Sequence, residues 1–439
     1  MSMGHKQPPA PVAETLPQGQ GQPFYQTLEE FLTQHDFDTF VEKRCRRFYA
    51  RKMGRPSLPP GVYFRALLMG YFEGLGSERA IAWRIQDSLS LRAWLGIAPQ
   101  SLAPVHSTLS RTRKRLSVKA HRDVFCFVLA RLGEEGLVCG RTVGIDASTI
   151  EANAALRALV RRQGGQSYQQ FLDELLRAAG INDPTPEDRR RLDRKRKKKG
   201  SNQEWCNPFD PEARIIKLKD GRTHLGYKDE NAVDLDTGAV VGVVVHLGHR
   251  GDPQSMPATL AEAKENLVSL REGDAAKDKS SRVEEVVTDK GYHSNQTLKQ
   301  CEQQGLRTYI SEPKRKRRRW KGDMVAKRAV YRNRRRIRAK RGKALLRRRG
   351  ELLERPFCHR LDIGGMRRAH VRGQKNLQKR EYIAASAQNV GLLMRHRYRI
   401  GTPRSLQDRR HVVLVANRTQ PRDREARPPL QYAPRRQAA

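Results

Sequence analysis

The chain is 439 residues long and carries 87 Lys plus Arg against 47 Asp plus Glu, a formal net charge of +40. A balance this basic attracts polyanions, and nucleic acid is the first partner implied, because each phosphate neutralised by Lys or Arg releases counterions. With no long apolar span, signal-peptide pattern or lipidation motif in view, a membrane partner is set aside and a cytoplasmic, nucleoid-associated protein is expected. The six cysteines lack CxxC spacing, so neither a zinc site nor a disulfide framework is indicated; they read as reduced thiols, mostly core filler.

Residues 1–24, rich in Pro, Gln and Gly, read as a disordered lead. The following stretch, 25–135, has helical spacing. Leu28, Phe31 and Leu32 form one apolar face, and Pro59 and Pro60 introduce a segment with Tyr63, Leu67, Met69 and Phe72. After a break at Gly74 and Gly76, Ser77 is placed to cap a helix carrying Ile81 and Ile85. A final helix is expected from near Ser107. Its Arg111, Arg113, Lys114 and Arg115 form either a solvated basic face or the DNA-facing side of a helix-turn-helix.

From 137 the period changes. Val143 and Ile145 flank Gly144 in a short β-forming run that delivers Asp146 to its end or just inside it. Taken alone, Asp146 equally suits a helix cap. A second run, Val286 to Thr288, also leads into an acid, Asp289, followed by Lys290, Gly291 and Tyr292, and two strands ending in Asp can hold divalent metal between them. Between these lie a charged insertion near 185–205, a hairpin of 224–235 with 239–246, and an amphipathic helix over 256–270. A helix over 295–304 and a strand over 307–310 follow, which together predict a mixed sheet with helices packed on it.

Residues 314–349 are basic almost throughout, with Arg317, Arg318, Arg319, Arg334, Arg335 and Arg336 interleaved with Trp320 and Tyr331. This favours contact with a nucleic-acid backbone. Arg347, Glu351 and Glu354 then share a helix face, at spacings that also suit a surface ion pair. Pro356 is expected to strain any helix that continues past it. The tail over 400–439, rich in Pro and Arg, reads as disordered.

The motifs GIDAS at Asp146, TDKGY at Asp289 and LERPF at Glu354, with GGMRRAHVRGQKN after them, resemble bacterial insertion-sequence transposases of the DDE type. The helical stretch around MGRPSLPPGVYFRALLMGYF is similar to the N-terminal domain of those proteins, and the likeness spans about residues 25–395. The resemblance implies an RNase H-like mixed sheet flanked by helices over 137–395, preceded by an all-α DNA-binding domain. It implies that Asp146, Asp289 and Glu354 bind metal, Mg²⁺ or Mn²⁺ and two ions. It implies water-driven cleavage at the element ends, attack of the freed 3′ hydroxyl on target DNA, and a homodimer holding both ends. Arg349 stands for the family's Arg before the Glu, Leu346 occupies the place of its Tyr, Arg360 is the nearest basic residue to its Lys, and Arg349, Arg360 and Lys290 beside Asp289 are expected to contact DNA. Glu351 therefore competes with Glu354 for the third position. A DNA-binding protein of the same descent that no longer cuts, and a nuclease of the same fold without strand transfer, are the alternatives.

DNA affinity should fall steeply and linearly with log salt when measured by filter binding between 50 and 200 mM salt; a flat response would contradict backbone contact as its source.

Overall fold

The computed structural model describes residues 21–50, 56–196, 200–218, 221–270, 283–314, 320 and 322–406. Most of the expected disordered lead, Arg317, Arg318 and Arg319, and the tail from 407 lie outside the described residues.

The helical stretch holds α1 (Pro23–Gln34), α2 (Phe37–Cys45), α3 (Pro60–Phe72), α4 (Glu78–Gln86), α5 (Leu89–Trp94), α6 (His106–Arg115) and α7 (Val118–Glu134). Ser77 caps α4 by accepting the Ala80 amide, as its position predicts. The basic helix expected from Ser107 is not the last of this group. It stops at Arg115, and Ser117 restarts the chain by accepting the Ala120 amide at the start of α7.

The sheet region contains β1 (Thr142–Glu151), β2 (Val160–Arg161), α8 (Tyr168–Ala178), α9 (Pro186–Lys195), β3 (Trp205–Cys206), β4 (Arg214–Lys217), β5 (Thr223–Asp234) and β6 (Val240–Leu247). It continues with α10 (Asp252–Ser269), β7 (Glu285–Thr288), α11 (Asn295–Gln303), β8 (Arg307–Ile310), α12 (Met324–Arg338), α13 (Lys340–Phe357) and α14 (Gln374–Tyr398). β1 is central, antiparallel to β5 on one side and parallel to β7 on the other; β8 extends the parallel side, and β6 pairs with the far side of β5. This mixed sheet with helices on both faces is RNase H-like.

Alternation along β1 sorts its two faces. Val143 and Ile145 join Met256, Leu260 and Ala263 of α10 in one core. The other face meets α13, where Leu345 packs with Leu235, Val287 and Tyr309. Gly144 lies on that second face, where Leu235 and α13 leave no room for a side chain: a Cβ there would stand 2.7 Å from Leu235 Cδ2 and 3.0 Å from Leu353 Cδ1.

Side-chain amides close both edges of the sheet, which would otherwise expose unpaired backbone groups. On β6, Asn389 of α14 accepts the Val240 amide and donates to its carbonyl, and Gln378 accepts from Val245 and donates to Val243. On β8, Asn333 of α12 does the same for Ile310. The other side of α14 supplies Ile383, Val390 and Leu393 to the core of the N-terminal helices, so one long helix ties those helices to the sheet.

All six cysteines are free, with only Cys45 and Cys301 buried, so most of them do not fill the core as expected. No helix among the described residues is long and apolar enough to cross a membrane.

Gly144→Ala should cost about 1–3 kcal/mol through overpacking against α13, read as a lowered melting temperature; an unchanged melting curve would contradict the close approach.

Candidate metal and nucleic-acid site

β1 and β7 run parallel in the register Gly144 to Val287 and Ile145 to Thr288, where the pairing stops. One residue further along each strand are Asp146 and Asp289. By alternation both belong to the face that carries Gly144 and Val287, beneath α13. Of the two places the apolar run allows for Asp146, the end of its strand or just inside it, the structure has the second. β1 continues through Ala147–Glu151 because β5 keeps pairing there, from Glu230 to Gly226. It is β7 that ends, and its end opens the notch in which the two acids meet.

Burial pushes the Asp146 carboxyl above its ordinary value, and the nearby charge of Asp289 pushes it further. The Ala147 amide, donating to Oδ1 at 2.8 Å, and the Arg349 guanidinium, donating from Nη1 to Oδ2 at 2.9 Å, work in the opposite direction. Asp289 caps a single 3-10 turn, Lys290–Tyr292, with Oδ1 accepting the Gly291 amide at 2.8 Å. A pair of like-charged, oxygen-only donors in a partly buried notch suits a hard divalent cation, and Arg349 supplies the compensating charge in this structure.

The third acid stands apart. No three His, Cys, Asp or Glu side chains among the described residues are grouped closely enough to hold one ion. Leu353 is buried against Gly144, and Glu354, the next residue, is turned about 100° round the helix into solvent. Glu351 is also exposed and forms an ion pair with Arg355 at 2.5 Å, whereas the Glu354 side chain makes no hydrogen bond or ion pair within the described residues. Pro356 does not stop α13, which runs to Phe357 and then widens into a π-helix over Cys358–Ile363.

The basic residues expected at DNA divide sharply. Lys290, Arg111, Lys114 and Arg335 are exposed. Arg115 lies over the Tyr49 ring, 5.0 Å from its centre. Trp320 packs on Tyr331 with ring centres 6.1 Å apart, Arg334 forms an ion pair with Glu312, and Arg336 donates to the Thr308 carbonyl. Two of the expected contacts are corrected outright. Arg113 is buried in an ion pair with Glu78 at 3.1 Å, which locks α6 to α4. Arg360 is fully buried, donating to Asp229 Oδ2 at 2.5 Å and Asn231 Oδ1 at 2.6 Å with Glu381 3.2 Å away. Neither guanidinium reaches the surface, because buried carboxylates demand a partner more strongly than solvent does.

Sequence reasoning passed over four polar groups beside the Asp289 turn: Lys228, Glu230, Asp252 and the Tyr292 hydroxyl. Their signal is the run Lys228–Asp229–Glu230–Asn231, four polar residues in the middle of a strand, all buried.

A family model described as Transposase domain (DUF772) matches residues 13–115, and one described as Transposase DDE domain matches residues 186–400. The second spans Asp289 and Glu354, and Asp146 falls between the two. Comparison with curated proteins and with solved structures returns no match.

Arg349→Ala should tighten Mn²⁺ binding to the DNA-free protein severalfold in calorimetric titration, since the ion no longer competes with the guanidinium for Asp146; an unchanged affinity would contradict that competition.

Proposed function

Because the chain belongs to the DDE transposases of insertion sequences, we propose that it binds the terminal inverted repeats of its element, cleaves the DNA there, and joins the freed 3′ hydroxyls to target DNA. The observation that carries this reading is the placement of Asp146 and Asp289 side by side, one residue past the last pair of two parallel strands and beneath the helix that bears Glu354. Asp146, Asp289 and Glu354 would hold Mg²⁺ or Mn²⁺, two ions in all, which when bound supply a polarised phosphate and a water acidic enough to attack near neutral pH.

The remaining steps belong to the chain's own residues. Arg349 gives up Asp146 and turns to a DNA phosphate. Its Nε is buried with no acceptor among the described residues, which suits a group that pairs with a phosphate. Glu354 turns from solvent toward the notch, and it is freer to do so than Glu351, which Arg355 holds. Lys290, exposed next to Asp289, contacts a phosphate oxygen and orients the strand without reading its sequence. Exposed Arg335 and Arg338 on α12 track the backbone leading away. The N-terminal helices recognise the repeat, with Arg111 and Lys114 on the exposed side of α6. Two copies hold the two element ends so that both are cut together. Cleavage and joining are the same in-line displacement with water or the 3′ hydroxyl as nucleophile, so one site performs both.

The test is to incubate purified protein with a fragment carrying the element's end, with Mg²⁺ or EDTA, and to map the 3′ ends. Cutting at the boundary should vanish with EDTA and in Asp146→Ala, Asp289→Ala and Glu354→Ala, survive in Glu351→Ala, and leave DNA affinity within about threefold throughout. Cleavage that persists in either Asp variant would contradict the site. Binding without cleavage under any metal would favour the non-cutting alternative.

A further inference from the structure

Asp289 opens a turn of only three residues with no ladder of its own, so something outside the turn must hold it. That support lies on the opposite face of the sheet from Asp146, since Glu230 pairs with Ala147 and Asn231 with Asp146. Glu230 is fully buried on β5. Its carboxylate accepts the Tyr292 hydroxyl at 2.8 Å, the Ser255 hydroxyl at 2.6 Å and the Thr259 hydroxyl, with His246 Nε2 at 3.4 Å and Lys228 Nζ at 3.5 Å. Burial alone would raise this carboxyl, but the contacts with His246, Lys228, Ser255 and Thr259 outweigh it and hold the group below its ordinary value.

Lys228 extends the arrangement to a second contact with the turn. Its ammonium meets Asp252 Oδ1 at 2.5 Å and Ser255 Oγ at 2.7 Å, and lies 5.6 Å from the centre of the Tyr292 ring. Asp252, the first residue of α10, is thereby held against Gly291, where a Cβ would stand 2.3 Å from Oδ2. The turn is pinned at Tyr292 by a hydroxyl and at Gly291 by direct packing, and both pins lead back to Glu230. A buried ion pair is a weak source of net stability, so its effect here is sought in geometry.

We propose that Glu230 is a positioning residue for the reaction: by holding the Tyr292 hydroxyl and, through Lys228, Asp252, it fixes the turn that presents Asp289 beside Asp146 to a divalent cation. The inference rests on the reading of Asp146 and Asp289 as metal ligands. Outer partners of metal ligands typically contribute 10–100-fold to metal affinity, which sets the size of the effect.

The experiment uses the full chain and Mn²⁺ alone, with free ion counted by electron paramagnetic resonance, in wild type, Asp289→Ala, Glu230→Gln and Tyr292→Phe. Thermal melts and metal-free DNA affinity are recorded on the same samples. Asp289→Ala should abolish the site, and Glu230→Gln and Tyr292→Phe should each weaken it about tenfold or more, with DNA affinity unchanged. Tyr292→Phe removes one oxygen and keeps the packing, so it decides the question if Glu230→Gln fails to fold. Lower melting temperatures with Mn²⁺ affinity within twofold of wild type would overturn the proposal and leave the metal reading standing. Mn²⁺ binding untouched by Asp289→Ala would overturn both.

Discussion

Two carboxylates forced together by parallel strand register are the constraint around which this protein is arranged. The pairing of Ile145 with Thr288 leaves Asp146 and Asp289 on one face at the same height. Asp146 cannot move away without unzipping the centre of the sheet, and Asp289 is kept beside it by the turn that follows β7. Their repulsion and the burial of Asp146 have to be offset by a cation. The cation that meets Asp146 is Arg349, delivered by a helix that approaches closely because residue 144 is glycine. The same helix carries Glu354 just off its buried face, so one packing contact, Leu353 on Gly144, sets the positions of both the guanidinium and the third acid relative to the pair.

The large positive charge does two different jobs, and composition cannot separate them. Arg65, Arg113 and Arg360 are interior residues; Arg65 holds Asp38 at 2.7 Å, and Arg360 neutralises Asp229 and Glu381, whose carboxyls burial pushes up. Arg111, Lys114, Lys290 and Arg335 remain exposed and available to phosphates. Which basic side chains are free to meet a phosphate therefore depends on which of them lack a buried acid nearby rather than on where Arg is densest along the chain.

Local pattern made much of the fold legible. Arg307–Ile310 reads as a strand and is one, and the hairpin of β5 and β6 follows from two β-forming runs joined through Asp236, Thr237 and Gly238. The two aspartates were visible because each ends an apolar run. What escaped the sequence depended on partners far along it. The five residues by which β1 runs on past Asp146 are set by β5, some eighty residues on, and local pattern does not show them. Arg360 looks like a surface base until Asp229, 131 residues away, is seen to hold it. Glu230 and Lys228 stand in a run of four polar residues that assigns neither face of the strand to the interior, and only the packing of α10 and the Asp289 turn over their face makes them interior.

The central claim is that Asp146, Asp289 and α13 form one metal site on DNA. Loading the DNA-bound protein with Fe²⁺ and ascorbate, then mapping where hydroxyl radicals cut the polypeptide, tests this most directly. The account predicts cuts clustered around 146, 289 and 354 that excess Mg²⁺ suppresses. Cuts confined to other segments, or a pattern indifferent to Mg²⁺, would contradict it.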